Sequence, residues 1–359
     1  MIIKEKRTSL IKNLFPSHVP QIWCPPLTHY NENGEIDFKR MKKHIEFLIP
    51  YIHSFLIPGS TGDGWELKLS EYKSILEFIH KEFGTKNKIN LIIGLLREDP
   101  KDRMEFLDHA ISFLKEKNIE IKANGSNFGY FKGFVICPKK GKELTQDEIK
   151  EDIIELLEKD YPFVLYQLPQ VTENELTPEL VEYLAKSYYN VYMLKDSSGA
   201  DRIANSDRDY SSLVILRGAE GNYFEQLKIT GGKYDGFLLS TGNSFPQELC
   251  SLIELMSKGK NEQAQKLSRK LTSVVNSVFK IAQQIPKGNA FTNSNKLIDH
   301  FNAYGEKWKD FPFPILHSGE EIDENLLEKT EKILMKQGLL RKEGYMLKEK
   351  KIEKRRKKN

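Results

Sequence analysis

Along most of the chain, short apolar runs alternate with longer stretches in which apolar residues recur every three or four positions. The runs fall at 21–26, 54–58, 89–95, 133–137, 163–168, 191–195, 213–216 and 236–240. They are mostly apolar without strict alternation, the pattern of parallel strands buried on both faces. The stretches between them carry helix signals. Phe38, Met41, Ile45 and Leu48 follow Asp37, a good N-cap. Ile149, Ile153 and Leu157 follow Thr145, with Glu148 placed for a capping box. Leu180 and Leu184 follow Thr177-Pro178, a cap with proline in the first turn. Eight such units predict an α/β fold closed into a (β/α)8, or TIM, barrel, which typically needs ~250 residues. A doubly wound sheet is the alternative, disfavoured because the first unit lacks a dinucleotide glycine fingerprint.

Beyond the eighth unit the pattern turns helical, over 261–282, 295–302 and 323–337. The predicted organisation is a lead segment (1–20), a barrel (21–258), a C-terminal helical appendage (259–340) and a flexible basic tail (341–359). Segment 121–132 reads as a long polar insertion before the fourth strand, and loops of that kind often border sites.

Composition narrows the class. A hydrophobic fraction of 39% and a charged fraction of 30% suit a globular protein with a sizeable core. No apolar run approaches the ~20 residues that span a bilayer. Charges scattered through residues 1–20 do not make a secretory signal, so a cytoplasmic protein is expected. Cys24, Cys137 and Cys250 share no metal or redox spacing and read as reduced thiols. The net charge is +4, but residues 341–359 hold ten Lys/Arg and three Asp/Glu, which leaves the remainder at −3. A mildly acidic body with a basic end points to a solvated extension rather than a nucleic-acid or membrane contact.

Active residues of such barrels sit at the C-terminal ends of strands. The second strand runs into Gly59-Ser60-Thr61-Gly62, whose N–H groups and hydroxyls suit a carboxylate, although a plain βα turn would look the same. Lys195 ends the sixth strand, where burial would lower its pKa and leave a nucleophilic amine; the plainer reading is a strand-end lysine paired with Asp196. Tyr166, on the neighbouring strand, is either a proton donor and acceptor or a packed core phenol.

Taken in order, these segments resemble the dihydrodipicolinate synthase / N-acetylneuraminate lyase family of Schiff-base pyruvate aldolases. The resemblance spans roughly residues 20–340. It rests on PPLTHYNENGEIDF, PGSTGDGWELKLSEY, FVLYQLPQVT, VYMLKDSSGAD and GGKYDGFLLSTGN. It implies a lyase in which Lys195 forms an imine with pyruvate or another 2-keto acid, Tyr166 moves protons, and Ser60 and Thr61 hold the carboxylate. Thr61 would also relay protons. Ser197, Gly218, Glu220 and Ser240 match positions lining the pocket for the rest of the substrate. It further implies no metal or cofactor, a small-molecule substrate with an aldehyde partner, and a homodimer or homotetramer. The same imine could instead serve a 2-keto-3-deoxy-sugar-acid dehydratase, or the barrel could bind 2-keto acids without reacting.

Three departures stand out. Val171 occupies the position where synthase members place an arginine for a second carboxylate. Cys137-Pro138-Lys139-Lys140 stands where the family often has a tyrosine pair, so a relay tyrosine supplied across the subunit interface is absent. Glu220 is followed by Gly221 rather than by a second acid.

Overall fold

The computed structural model describes residues 2–86 and 88–347. Eight strands form one all-parallel sheet: β1 (Ile22–Trp23), β2 (Ser54–Ile57), β3 (Asn90–Leu95), β4 (Phe131–Ile136), β5 (Phe163–Gln167), β6 (Val191–Asp196), β7 (Val214–Arg217) and β8 (Gly236–Leu238). Their order is β1-β8-β7-β6-β5-β4-β3-β2. A parallel bridge between Cys24 and Phe55 brings the two edges together, with Cys24 N–H donating to Ser54 O and Leu56 N–H to Cys24 O. The result is a (β/α)8 barrel with a C-terminal helical region. All eight apolar runs became strands, but β1 is shorter than predicted. Pro25 and Pro26 have no N–H to offer and end its ladder.

The caps read from sequence form. Asp37 accepts from Arg40 N–H ahead of α2 (Phe38–Leu48), Thr145 and Glu148 close a capping box, and Thr177 accepts from Leu180 N–H. Ahead of the barrel, α1 (Ile3–Leu14) packs beneath the N-terminal strand ends. Its buried Arg7 donates to the carbonyls of Val191, Tyr188, Ala185 and Ser211.

Segment 121–132 does not border the site. It leads into β4, whose first two residues are Phe131 and Lys132, and so lies at the N-terminal face of the barrel, which serves stability rather than chemistry. There Gly125 O accepts from Asn13 of α1, and Ala123 N–H donates to Asp160 O.

In the C-terminal region the long helix Asn261–Ala282 appears as predicted, and Glu324–Lys336 forms behind its Asp323 cap. The helix expected at 295–302 is longer, Ala290–Tyr304, and is buried on every face from Thr292 onwards. Most of its polar side chains find partners: Ser244 Oγ donates to Asn295, Asn302 Nδ2 to Ser244 O, and Arg40 to Asp299 at 2.7 Å, whereas Asn293 Oδ1 is buried without one.

The basic tail begins later than charge alone suggested. Tyr345 donates to Asp299 and accepts from Arg40 Nε, while Tyr345 and Met346 N–H groups bond to the carbonyls of Asn302 and Ala303. Residues 341–347 are therefore docked, and one aromatic side chain among the charges supplies the reason. The remainder of that tail, 348–359, lies outside the described residues. Beneath Tyr345, His29 Nε2 and His44 Nδ1 lie 2.8 Å apart beside Asp299. The three groups are close enough to share an ion, but Arg40 already brings a positive charge to that carboxylate. Among the described residues no helix is long and apolar enough to cross a membrane.

Candidate active site

The strand ends at the C-terminal mouth surround a cavity of about 220 Å³. Lys195, Tyr166, Ser60 and Thr61 line it, and so do Ser197, Gly218, Glu220 and Ser240. Every site residue predicted from sequence is thus brought to one place.

Lys195 and Tyr166 are register partners on β5 and β6, which aims both side chains into the barrel. The ammonium nitrogen lies 4.0 Å from the centroid of the phenol ring. Lys195 is 4% exposed, and among the described residues no carboxylate pairs with it. Burial lowers its pKa from 10.5 to about 7, partly opposed by Cys137, Glu220 and Cys24. Asp196, the partner suggested by a purely structural reading, is one residue further along the strand and faces away. It accepts instead from Ser198 N–H at 2.9 Å and from Gln167 and Tyr234 at 3.4 Å.

Gly218 gives the lysine its path. A Cβ there would stand 2.8 Å from Lys195 Cε and 2.0 Å from Ser197 Oγ. Burial raises the pKa of Tyr166, so the phenol keeps its proton; the Ser197 and Ser60 hydroxyls work against that rise. Ser197 Oγ and Ser198 Oγ are buried and complete no hydrogen bond in good geometry. The Ser197 hydroxyl lies beside the Tyr166 phenol and the Ser198 hydroxyl beside the Asp196 carboxylate.

The Ser60–Gly62 turn packs tightly against the end of β1. A Cβ on Gly59 would meet Pro25 Cβ at 2.5 Å, and one on Gly62 would meet Pro26 O at 2.6 Å. Thr28 Oγ donates to Gly62 O at 2.7 Å and pins the turn.

Glu220 differs from its expected part. Its Oε1 accepts from Ser240 Oγ and Thr241 N–H, and its Oε2 from Thr241 Oγ and Tyr223 OH. Those bonds bind it to the β8 end and commit the Ser240 proton, so Ser240 turns only lone pairs towards a ligand. Ser198, Gly199 and Ala219, within the strand-end segments, also line the cavity; sequence reasoning missed Leu168 and Gln170, beside a recognised motif, and Phe291, which reaches the cavity from the C-terminal region. For Phe291 no local signal exists. Val171 packs into the core on the short helix Pro169–Thr172 and does not line the cavity. Lys140 is held outside it by Glu98 at 3.2 Å and Glu173 at 3.5 Å.

Strand-borne groups around a buried, unpaired lysine at the C-terminal mouth define a (β/α)8-barrel enzyme. A profile of the dihydrodipicolinate synthetase family matches residues 19–95 and 122–290. The chain belongs to that family. It is 25% identical over 262 residues to the 4-hydroxy-tetrahydrodipicolinate synthase of Methanococcus aeolicus, covering 71% of this chain and 82% of that protein. Its fold matches that of YagE, an E. coli K12 prophage protein of the same family solved with pyruvate (TM-score 0.68, 18% identity, 89% and 98% covered). It also matches a Sulfolobus 2-keto-3-deoxygluconate aldolase (TM-score 0.65, 17% identity, 89% and 99% covered).

Proposed function

We propose that the protein is a class I aldolase that joins pyruvate, or a close 2-keto acid, reversibly to a neutral, hydroxyl-bearing aldehyde. The observation that carries this is Lys195: a buried amine with a pKa near neutrality, unpaired, against Tyr166 in a cavity lined by hydroxyls. Half of such an amine is uncharged at pH 7 and ready to attack a ketone. Nζ adds to C2, water leaves, and the protonated imine draws electrons from C3. A C3 proton passes to water, giving an enamine that attacks the aldehyde carbon, and water then hydrolyses the product imine to free the Lys195 amine. Tyr166 donates its proton to the new alkoxide and takes it back in cleavage. Ser60 and Thr61 hold the keto-acid carboxylate, and Thr61 passes protons to the phenol.

The distal half supports the choice of aldehyde. Among the described residues lining the cavity, Lys195 is the one cation. A second carboxylate would find no partner, whereas Ser197, Ser198, Gln170 and Ser240 suit hydroxyls. Family membership supports a homo-oligomer, and the absence of a spanning helix among the described residues is consistent with a cytoplasmic enzyme.

Incubation with pyruvate and borohydride, read by intact mass, is expected to add one reduced pyruvyl group that maps to Lys195. Lys195→Ala removes both adduct and turnover. An adduct on another lysine, or an active mutant, refutes the assignment. Products then separate aldol cleavage, which returns pyruvate, from dehydration, which does not.

A further inference from the structure

We propose that Lys296, acting through Asp63, is a positioning residue for the Ser60–Gly62 turn, so that the helix Ala290–Tyr304 belongs to the binding machinery. The proposal rests on that turn's being the carboxylate site. Lys296 does not line the cavity around Lys195. Its ammonium lies 3.1 Å from Asp63 Oδ2, which also accepts from Tyr30 OH at 3.1 Å. Lys296 Nζ sits 4.6 Å from the Tyr30 ring centroid and 3.4 Å from Ile315 O. Lys296 is 2% exposed and Asp63 3%. A pair buried so deeply gains little net stability, because desolvation offsets most of the attraction; what it does impose is one geometry.

That geometry is delivered to the turn. Asp63 caps its C-terminal end, held in the left-handed region at φ 57°, and its N–H donates to Ser60 O. From the same helix, Asn289 Nδ2 and Thr292 Oγ each donate to Ser60 O at 3.3 Å. Positions 289, 292 and 296 share one face at three- and four-residue spacing. The helix therefore grips both ends of a short turn whose Ser60 and Thr61 line the cavity. Holding the Ser60 and Thr61 hydroxyls in register with Lys195 is what a carboxylate clamp requires, since small misplacements are costly.

The test is reductive trapping of Lys195 across a range of pyruvate concentrations, in the wild type, Lys296→Met and the charge-free double variant Asp63→Asn/Lys296→Met. Half-saturation is expected to rise about tenfold in both variants, while trapping at saturating pyruvate stays within about threefold, the split expected when ground-state binding alone is weakened. Unchanged half-saturation in the double variant overturns the proposal. If the variants do not fold, hydrogen exchange on the wild-type chain decides. The trapped adduct should slow amide exchange at 289–296 together with 59–64, and protection confined to 59–64 counts against the clamp. A wild type that forms no adduct fails earlier and differently: it removes the Schiff-base reading, and this proposal with it.

Discussion

The pH dependence of imine formation is the sharpest test of what burial does to Lys195. An ordinary lysine with a pKa of 10.5 is neutral in only about one copy in 3,000 at pH 7, whereas an amine with a pKa of about 7 is neutral in half. The cause lies in the surroundings: β5, β6 and β7 enclose the stem, and no carboxylate among the described residues pairs with the ammonium. Trapping by pyruvate and cyanoborohydride, at subsaturating pyruvate and mapped to Lys195 by peptide mass, should rise about tenfold from pH 6 to pH 8 and then level off. Stability offers an independent reading. Burial depresses the folded pKa below the unfolded value, so between about pH 7 and 10.5 the unfolded chain binds more protons and this group's contribution to stability rises with pH. Lys195→Met should therefore melt higher than the wild type at pH 7, and the difference should shrink as pH rises through 10.5. A trapping rate that climbs tenfold per pH unit up to pH 10 would mean an ordinary lysine, and the argument from burial would be wrong.

Tyr166→Phe should still form the imine but lose about 10²- to 10⁴-fold in turnover, the usual contribution of a positioned proton donor; unchanged turnover makes Tyr166 a core residue only. In a coupled assay, glyceraldehyde or N-acetylmannosamine should give a higher kcat/KM than aspartate semialdehyde, whose carboxylate meets no second cation among the described residues lining the cavity and would cost a few kcal/mol unpaired. The reverse order would turn attention to Lys139 and Lys140, which follow β4 and do not line the cavity. Tyr345→Phe leaves Arg40 Nε and Asp299 each short of a partner, at a cost of about 1–3 kcal/mol. Its melting temperature should fall by several degrees, and an unchanged value would mean that residues 341–347 add nothing to the fold.

The strand and helix periods, the caps at Asp37, Thr145 and Thr177, and the strand-end positions of Lys195 and Tyr166 were all legible in the chain itself. These are local features: a buried parallel strand needs a short apolar run, a cap needs one hydroxyl or carboxylate, and a barrel puts strand ends at its mouth. Sequence alone could not say that Asp196 turns away from Lys195, that Glu220 is consumed by Ser240, Thr241 and Tyr223, or that Phe291 reaches the cavity. Each depends on which distant element packs alongside. The helix Ala290–Tyr304 is the clearest instance. Its run of Thr, Asn, Ser, Lys, Asp and His offers little apolar surface, yet it is buried from Thr292 onwards, because Ser244, Arg40, Asp63 and the docked Tyr345 satisfy most of its polar groups. Periodicity records where a chain can bury apolar surface. Whether a polar group can be buried depends on partners far away in the chain, and only the tertiary structure supplies them.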